Sequence, residues 1–261
     1  MSEGKGSAIL VVEDLGFSLG GKTILDGVTG AYQGGKIHGI VGPNGSGKST
    51  LLRNLCRIWE PKRGRVLVGG EDQRDLGRRA LSRTMTLVPQ STQVDFSIPV
   101  WDFVAMGRHP HLRRLQWLRR RDMEVIEAAL QATGTDEFRD RPVNELSGGE
   151  TQLVSIARAL ATEAPIVLLD EPTSALDIRH KLGVMDLLLG MRAEGKTILL
   201  SIHDLDIARR YCDTVTLLQR GRVFFAGSAE EAFARERVRE VFGVGVEEIE
   251  TVHGVSLVFY P

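Results

Sequence analysis

Asp170 and Glu171 stand side by side at the end of the apolar run "IVLLD" (Ile166 to Asp170). Charges at the edge of a buried strand are costly unless they are paired or used. A second stretch, "GPNGSGKST", supplies a use. It places Gly42, Pro43, Asn44, Gly45, Ser46, Gly47, Lys48, Ser49 and Thr50 in the pattern G-x-x-x-x-G-K-[ST]. Glycines let successive backbone N–H groups turn inward around phosphate oxygens. A helix starting at about Lys48 aims its positive end at the same anion. Lys48 adds a full charge near the outer phosphates, and Ser49 offers a hydroxyl to Mg²⁺. The bland reading, a chance glycine-rich turn, does not account for the strand before the loop and the helix after it.

These groups need elements to hold them. "KIHGIV" (Lys36 to Val41) reads as a compact strand, and Leu51, Leu52, Leu55 and Ile58 recur at helical spacing after the loop. "IVLLD" and "KTILLS" (Lys196 to Ser201) are continuously apolar, as parallel strands covered on both faces are. The first thirty residues mix β-formers with glycines and predict antiparallel strands. From about 91 to 161 helical patterns prevail; Val125, Ile126, Ala129 and Leu130 fall on one side of one of them. The last forty residues predict short strands and a helix. Ligands of open α/β sheets bind beyond the carboxyl ends of the strands, where Asp170 and the glycine-rich loop both lie. Asp170 then supports a Mg²⁺ shell and Glu171 polarises an attacking water as general base. The competing reading is an exposed turn in which the two acids merely cap.

"LSGGE" (Leu146 to Glu150) precedes a helix with Leu153, Ile156, Ala157, Leu160 and Ala161 on one apolar face. Ser147, Gly148 and Gly149 therefore form a second helix N-terminus suited to an anion. With these motifs the sequence resembles the ATP-binding-cassette (ABC) ATPases over nearly its whole length. "GPNGSGKST" is similar to their Walker A loop and "IVLLDE" to Walker B. "LSGGE" resembles the signature, "SALD" (Ser174 to Asp177) the D-loop, "VPQ" the Q-loop with Gln90, and His203 in "SIHD" the switch histidine. The resemblance implies one ABC ATPase domain over 1–261. Its RecA-like P-loop NTPase core covers about 1–90 and 162–261, with a mostly parallel sheet and an N-terminal antiparallel β subdomain. An inserted α-helical subdomain covers about 91–161. It further implies ATP and Mg²⁺, a head-to-tail pair of chains, and Ser147 and Gly149 acting on the partner's nucleotide. On the same resemblance Glu171 and His203 are expected to be the catalytic residues, Asp177 to communicate across the dimer, and Gln90 to sense the metal with Ser49 and Asp170. Two positions depart from the family. Leu19 stands where an adenine-stacking aromatic is usual, with Phe17 nearby reading as core or as a stacking ring, and Thr151 replaces a residue that is usually basic or Gln.

"IPVWDFVAMGRHPH" (Ile98 to His111) resembles the corresponding segment in ATPases of bacterial importers for iron–siderophore complexes, haem and vitamin B12; His109 departs from an aromatic. That subgroup implies a peripheral subunit on the cytoplasmic face of the inner membrane. Its partners are transmembrane permease subunits and, indirectly, an extracytoplasmic binding protein. Two histidines, His109 and His111, do not make a metal site. With Arg108, a lobe surface or permease contact is expected. The arginines Arg113, Arg114 and Arg119 to Arg121 read as a solvated helix face or as a surface near the membrane partner, and Trp117 as core or contact.

The balance of 33 basic against 34 acidic residues gives no reason to expect nucleic acid as a partner. Cys56 and Cys212 are far apart and form no disulfide framework. "MSEGKGSA" carries no leader pattern, and no apolar run approaches the roughly 18 residues of a membrane span. The competing function is a non-transport cassette acting on nucleic acid or ribosomes. Such relatives usually carry tandem cassettes or long coiled-coil insertions, and neither is present.

Overall fold

The computed structural model describes residues 8–92, 97–174, 176–252 and 254–261. The stretch 1–7, read above for a leader, and Ala175 of "SALD" lie outside the described residues. The chain forms two compact units, Met1–Leu76 with Met191–Pro261, and Gly77–Gly190.

In the first unit, β1 (Ala8–Leu19) and β2 (Lys22–Gln33) form an antiparallel hairpin of long strands. Leu10, Val12, Leu15 and Phe17 of β1 turn inward; irregularities in the pairing keep that face apolar along the strand. β3 (Ile37–Val41) is buried at every residue. α1 (Lys48–Leu55) then buries Leu51, Leu52 and Leu55. Ile58, expected on the same helical face, lies beyond the helix and is exposed. The helix stops because Arg57 adopts a left-handed φ of 55°, which turns the chain away. β4 (Arg63–Val68) pairs antiparallel with β1 and with the short β5 (Glu71–Asp72).

The second unit opens with α2 (Arg78–Thr84) and β6 (Met85–Val88), then α3 (Val100–Ala105) and α4 (Arg120–Ala132). It continues with α5 (Gly148–Ala161), β7 (Ile166–Asp170) and α6 (Ile178–Ala193), whose last turn passes into the first unit. Val104, Ile126, Leu130, Val154 and Ala157 centre an apolar cluster of α3, α4 and α5. The single apolar face expected for α5 is only part of what is buried. Val154, Ile156, Ala157 and Ala161 are buried, Leu153 and Leu160 only half so, and Gln152 and Ser155 are buried as well. The reason is that α5 meets α3 and α4 on one side and β6 on another.

The chain then returns to the first unit as β8 (Thr197–Ile202), α7 (Leu205–Tyr211), β9 (Thr214–Gln219) and β10 (Arg222–Ser228). α8 (Ala229–Ala232) and α9 (Arg235–Phe242) lead to the hairpin of β11 (Gly245–Thr251) and β12 (Gly254–Tyr260). β3 lies between β8 and β9, parallel to both, and β10 runs antiparallel to β9. All six residues of β8 are buried, as its unbroken apolar pattern requires.

One polar group sits inside this sheet. His38 of β3 is buried, with Nδ1 2.6 Å from Thr214 Oγ1 and Nε2 2.9 Å from the Gln33 carbonyl. Burial holds its imidazole below the ordinary 6.5, although the Gln33 carbonyl pulls the other way. The unfolded chain therefore takes up a proton first as pH falls, and folding stability present above pH 6.5 declines through the folded value. Urea unfolding followed from neutral pH downward is expected to lose stability, and His38→Gln to flatten that slope. An unchanged slope in the variant would assign the dependence to other groups.

Candidate functional site

The glycine-rich loop leaves β3 and enters α1 within the first unit. Gly47 caps the helix at φ 108°, a conformation that excludes most side chains. Ser46 N–H donates to the Pro43 carbonyl at 3.1 Å, closing the turn. Lys48 lies buried against this turn, its Nζ donating to the carbonyls of Gly42 (2.9 Å) and Pro43 (3.4 Å). Its charge is thus carried inside the loop. Ser46 Oγ is buried and, among the described residues, has no hydrogen-bond partner. A buried hydroxyl without a partner costs free energy, so the loop holds a donor ready for an acceptor. His203 follows β8 directly, and Val41 is in register with Ile202. The histidine and the start of the loop therefore leave neighbouring parallel strands at the same end.

The second unit repeats this logic. β6 and β7 are parallel with Val88 opposite Leu169, so Gln90 and Glu171 emerge at one end. Gln90 Nε2 donates to Glu171 Oε2 at 2.8 Å. Asp170, the last residue of β7, is buried. Glu171 itself has φ 48°, a left-handed conformation that a glutamate rarely adopts. Its carbonyl accepts from the Ser174 N–H (3.2 Å) and hydroxyl (3.1 Å), which hold that turn. Backbone strain persists only where surrounding contacts over-determine it, and it concentrates at functional sites.

Ser147 caps α5 as its type predicts. Its hydroxyl accepts from the Glu150 N–H at 3.3 Å, while Glu150 accepts from the Ser147 N–H at 2.7 Å. The Ser147 N–H first, and then its hydroxyl beside the carboxylate, hold the Glu150 carboxyl below the ordinary carboxylate range. Asp177 sits at the start of α6, where its carboxylate accepts from the His180 N–H and contacts His180 Nδ1, both at 2.9 Å. Those bonds, the backbone one foremost, likewise lower its pKa. Ser147, Gly148, Gly149 and Asp177 line one cavity of about 1010 Å³, together with Glu150 and His180.

Sequence reasoning did not identify Ser46 as a waiting donor, the Gln90–Glu171 bond, or His180. Only His180 had a legible signal, its spacing of three from Asp177 at a helix start. Thr92, just past Gln90, also contacts Ser155 of α5 (Oγ1 to Oγ 2.9 Å), tying the segment after β6 to the helix of "LSGGE".

One open position is settled and two expectations change. Phe17 is core: its ring stacks on Trp59 at 5.2 Å and an interplanar angle of 2°, while Leu19 is exposed. Arg108 is no surface residue. It is 4% exposed and donates to Asp122 (3.0 Å), the Ala161 carbonyl (2.8 Å) and Glu163 (2.8 Å). Gly107 beside it is required because a Cβ would strike the Arg158 carbonyl and come within 2.9 Å of Ala161 Cβ. His111 contacts the Thr162 carbonyl at 2.8 Å, and His109 is exposed. Among the described residues no three His, Cys, Asp or Glu side chains converge on a metal position. Lastly, Arg113 and Arg114 lie in a turn before α4 rather than on a helix face, and Trp117 is exposed rather than core.

The architecture has a counterpart of known structure. It superposes at a TM-score of 0.84 on one described as a metal-chelate type ABC transporter in an inward-facing conformation, with 28% identity over 98% of each chain. Sheets, glycine-rich loop and helices together define a P-loop NTPase cassette. The ABC transporter sequence family matches residues 25–174, and the chain belongs to that family. The cobalamin import ATP-binding protein BtuD of Halobacterium salinarum is 41% identical over 91% of this chain, which spans only 59% of that relative's length. The hemin import ATP-binding protein HmuV of Pseudomonas aeruginosa is 40% identical over 91% of this chain and 94% of its own. Among the described residues no helix is long and apolar enough to cross a membrane.

Proposed function

We propose that this chain is the ATP-hydrolysing subunit of an importer that takes up a metal chelate, such as an iron–siderophore complex, haem or cobalamin, through a separate permease. The observation that carries the ATP chemistry is the Gly42–Thr50 loop, with Lys48 folded into it and Ser46 Oγ awaiting an acceptor. The import names of BtuD and HmuV support the substrate class.

The residues fit a nucleotide and its metal. The loop's backbone N–H groups and the α1 N-terminus receive phosphates, and Lys48 balances their charge. Ser49 and Gln90 offer oxygen ligands of the kind Mg²⁺ takes, and Asp170 supports that shell through water. When bound, Mg²⁺ neutralises charge on the outer phosphates. Glu171 accepts a proton from the attacking water through its carboxylate, held in place by Gln90. His203 hydrogen-bonds the terminal phosphate. Ser147, Gly148 and Gly149 act on the nucleotide of a second copy, and Asp177, in the same cavity, carries contact across that pair. Ile178 and Leu182, apolar and exposed at the start of α6, support the pairing. The chain sits peripherally on the cytoplasmic face of the membrane, bound to the permease, with the extracytoplasmic binding protein engaged only through it.

Lys48→Ala is expected to weaken ATP binding about 100-fold, the scale of one charge-assisted hydrogen bond; titration with a fluorescent nucleotide reads it. Undiminished affinity would remove Lys48 from the site. The assignment as a whole is tested by capturing the Glu171→Gln chain with Mg-ATP from solubilised native membranes. A co-purifying many-span permease is the expected result. Ribosomal or DNA-bound partners in its place would replace transport with the competing reading.

A further inference from the structure

We infer that the segment Arg113–Arg121, a turn that runs into the start of α4, inserts into the membrane surface and binds anionic lipid headgroups directly. Leu115 and Trp117 at its tip are 93% and 89% exposed, and Met123 one turn into α4 is exposed as well. Large apolar side chains left this open are normally covered by something. Around them stand five arginines against two acids between Arg113 and Glu124, in a chain whose net charge is −1.

Those two acids do not neutralise the tip. Asp122 faces inward onto the buried Arg108, and Glu124 pairs with Arg120 at 3.0 Å. Arg121 reaches Glu163 at 2.8 Å. Among the described residues no acidic group pairs with Arg113 or Arg114.

The turn is also held in shape. Arg113 N–H donates to Gln116 Oε1 (3.1 Å) and Gln116 N–H to the Arg113 carbonyl (3.0 Å). Leu115 takes a left-handed φ of 62°. At its base Arg79 and Arg83 both donate to the Pro110 carbonyl, at 2.8 and 2.7 Å. A protein partner would have to offer a fitted, desolvated pocket for each of these anchors. Exposed Leu and Trp side chains flanked in sequence by arginines also fit a soft surface, anionic above and apolar beneath, which needs no such pockets. Trp favours that interface, and arginines lie along it with their heads in the phosphate layer.

The inference rests on the membrane-peripheral placement proposed above but not on nucleotide chemistry, so vesicle binding and ATP hydrolysis fail separately. The test floats the full chain with vesicles of phosphatidylcholine alone and of phosphatidylcholine mixed with phosphatidylglycerol. The wild type is expected to float with the anionic vesicles only, with a blue shift of tryptophan emission that Trp117→Phe removes. Two double variants, Leu115→Ser with Trp117→Ser and Arg113→Glu with Arg114→Glu, are each expected to weaken partitioning at least about tenfold. All four positions are exposed, and unchanged thermal unfolding verifies the fold. Absence of flotation, or retention of binding by either double variant, overturns the inference. So does binding that appears only when a permease is reconstituted in the vesicles, which assigns the turn to a protein partner.

Discussion

Glu171→Gln is expected to retain ATP and to hydrolyse it about 10²–10⁴-fold more slowly, the range a positioned general base contributes. The geometry makes this substitution clean. Gln90 donates its amide N–H to Glu171 Oε2, and a glutamine at 171 still offers a carbonyl oxygen there. The turn at 171 depends on the backbone carbonyl, which accepts from Ser174 and is unaffected. What disappears is the ability to take a proton. Single-turnover hydrolysis with radiolabelled ATP, alongside a binding titration, separates the two effects. A variant that hydrolyses at the wild-type rate would move the base elsewhere. One that loses affinity as well would mean that the carboxylate supports binding.

Arg108→Ala is the largest stability loss expected, about 3–5 kcal/mol, because it leaves a buried charge without its partner. Asp122 shows the balance. Burial pushes its carboxyl up, yet the Arg119 N–H and the Arg108 guanidinium more than offset this and hold it below the ordinary range. The pair's stabilisation is therefore present above the ordinary carboxylate pKa and fades as pH falls through the lowered one. Without Arg108, the Ala161 carbonyl and Glu163 also lose a donor. Urea unfolding of Arg108→Ala measures the cost. Arg108→Met combined with Asp122→Asn is expected to recover much of it, since replacing both charges avoids the orphan. If the double variant is no better than the single one, the bonds to Ala161 and Glu163 carry the effect.

The parts read most easily from sequence were those whose residues are contiguous. The glycine-rich loop, the cap at Ser147 and the strands ending at Val41, Asp170 and Ile202 depend on neighbours a few positions away. Arg108 looked like surface because its partners lie 14 and 55 residues along the chain, and nothing local announces them. Ile58 fitted the helical period but lost to a left-handed backbone at Arg57 that no residue type signals. On α5, small residues hid a second buried side: Ser155 looks solvated in a pattern and is fully buried beneath Thr92. Phe17 showed the converse. Its reading as core holds, but the ring it stacks on, Trp59, lies beyond the reach of periodicity. The pairing of Gln90 with Glu171 required knowing that β6 and β7 lie side by side.

The threading of the first unit has a consequence for synthesis. β3, which leads into the glycine-rich loop, takes both of its neighbours, β8 and β9, from residues 197–219. During translation the second unit emerges whole while this five-residue apolar strand still lacks both edges. Unpaired edges of that kind are prone to aggregation. A nascent chain that has left the ribosome only as far as residue 190 would therefore present the second unit complete while β3 still lacks β8 and β9. Chaperone contact is expected to concentrate on the nascent chain in that interval, and the glycine-rich loop to settle only once β8 and β9 have emerged.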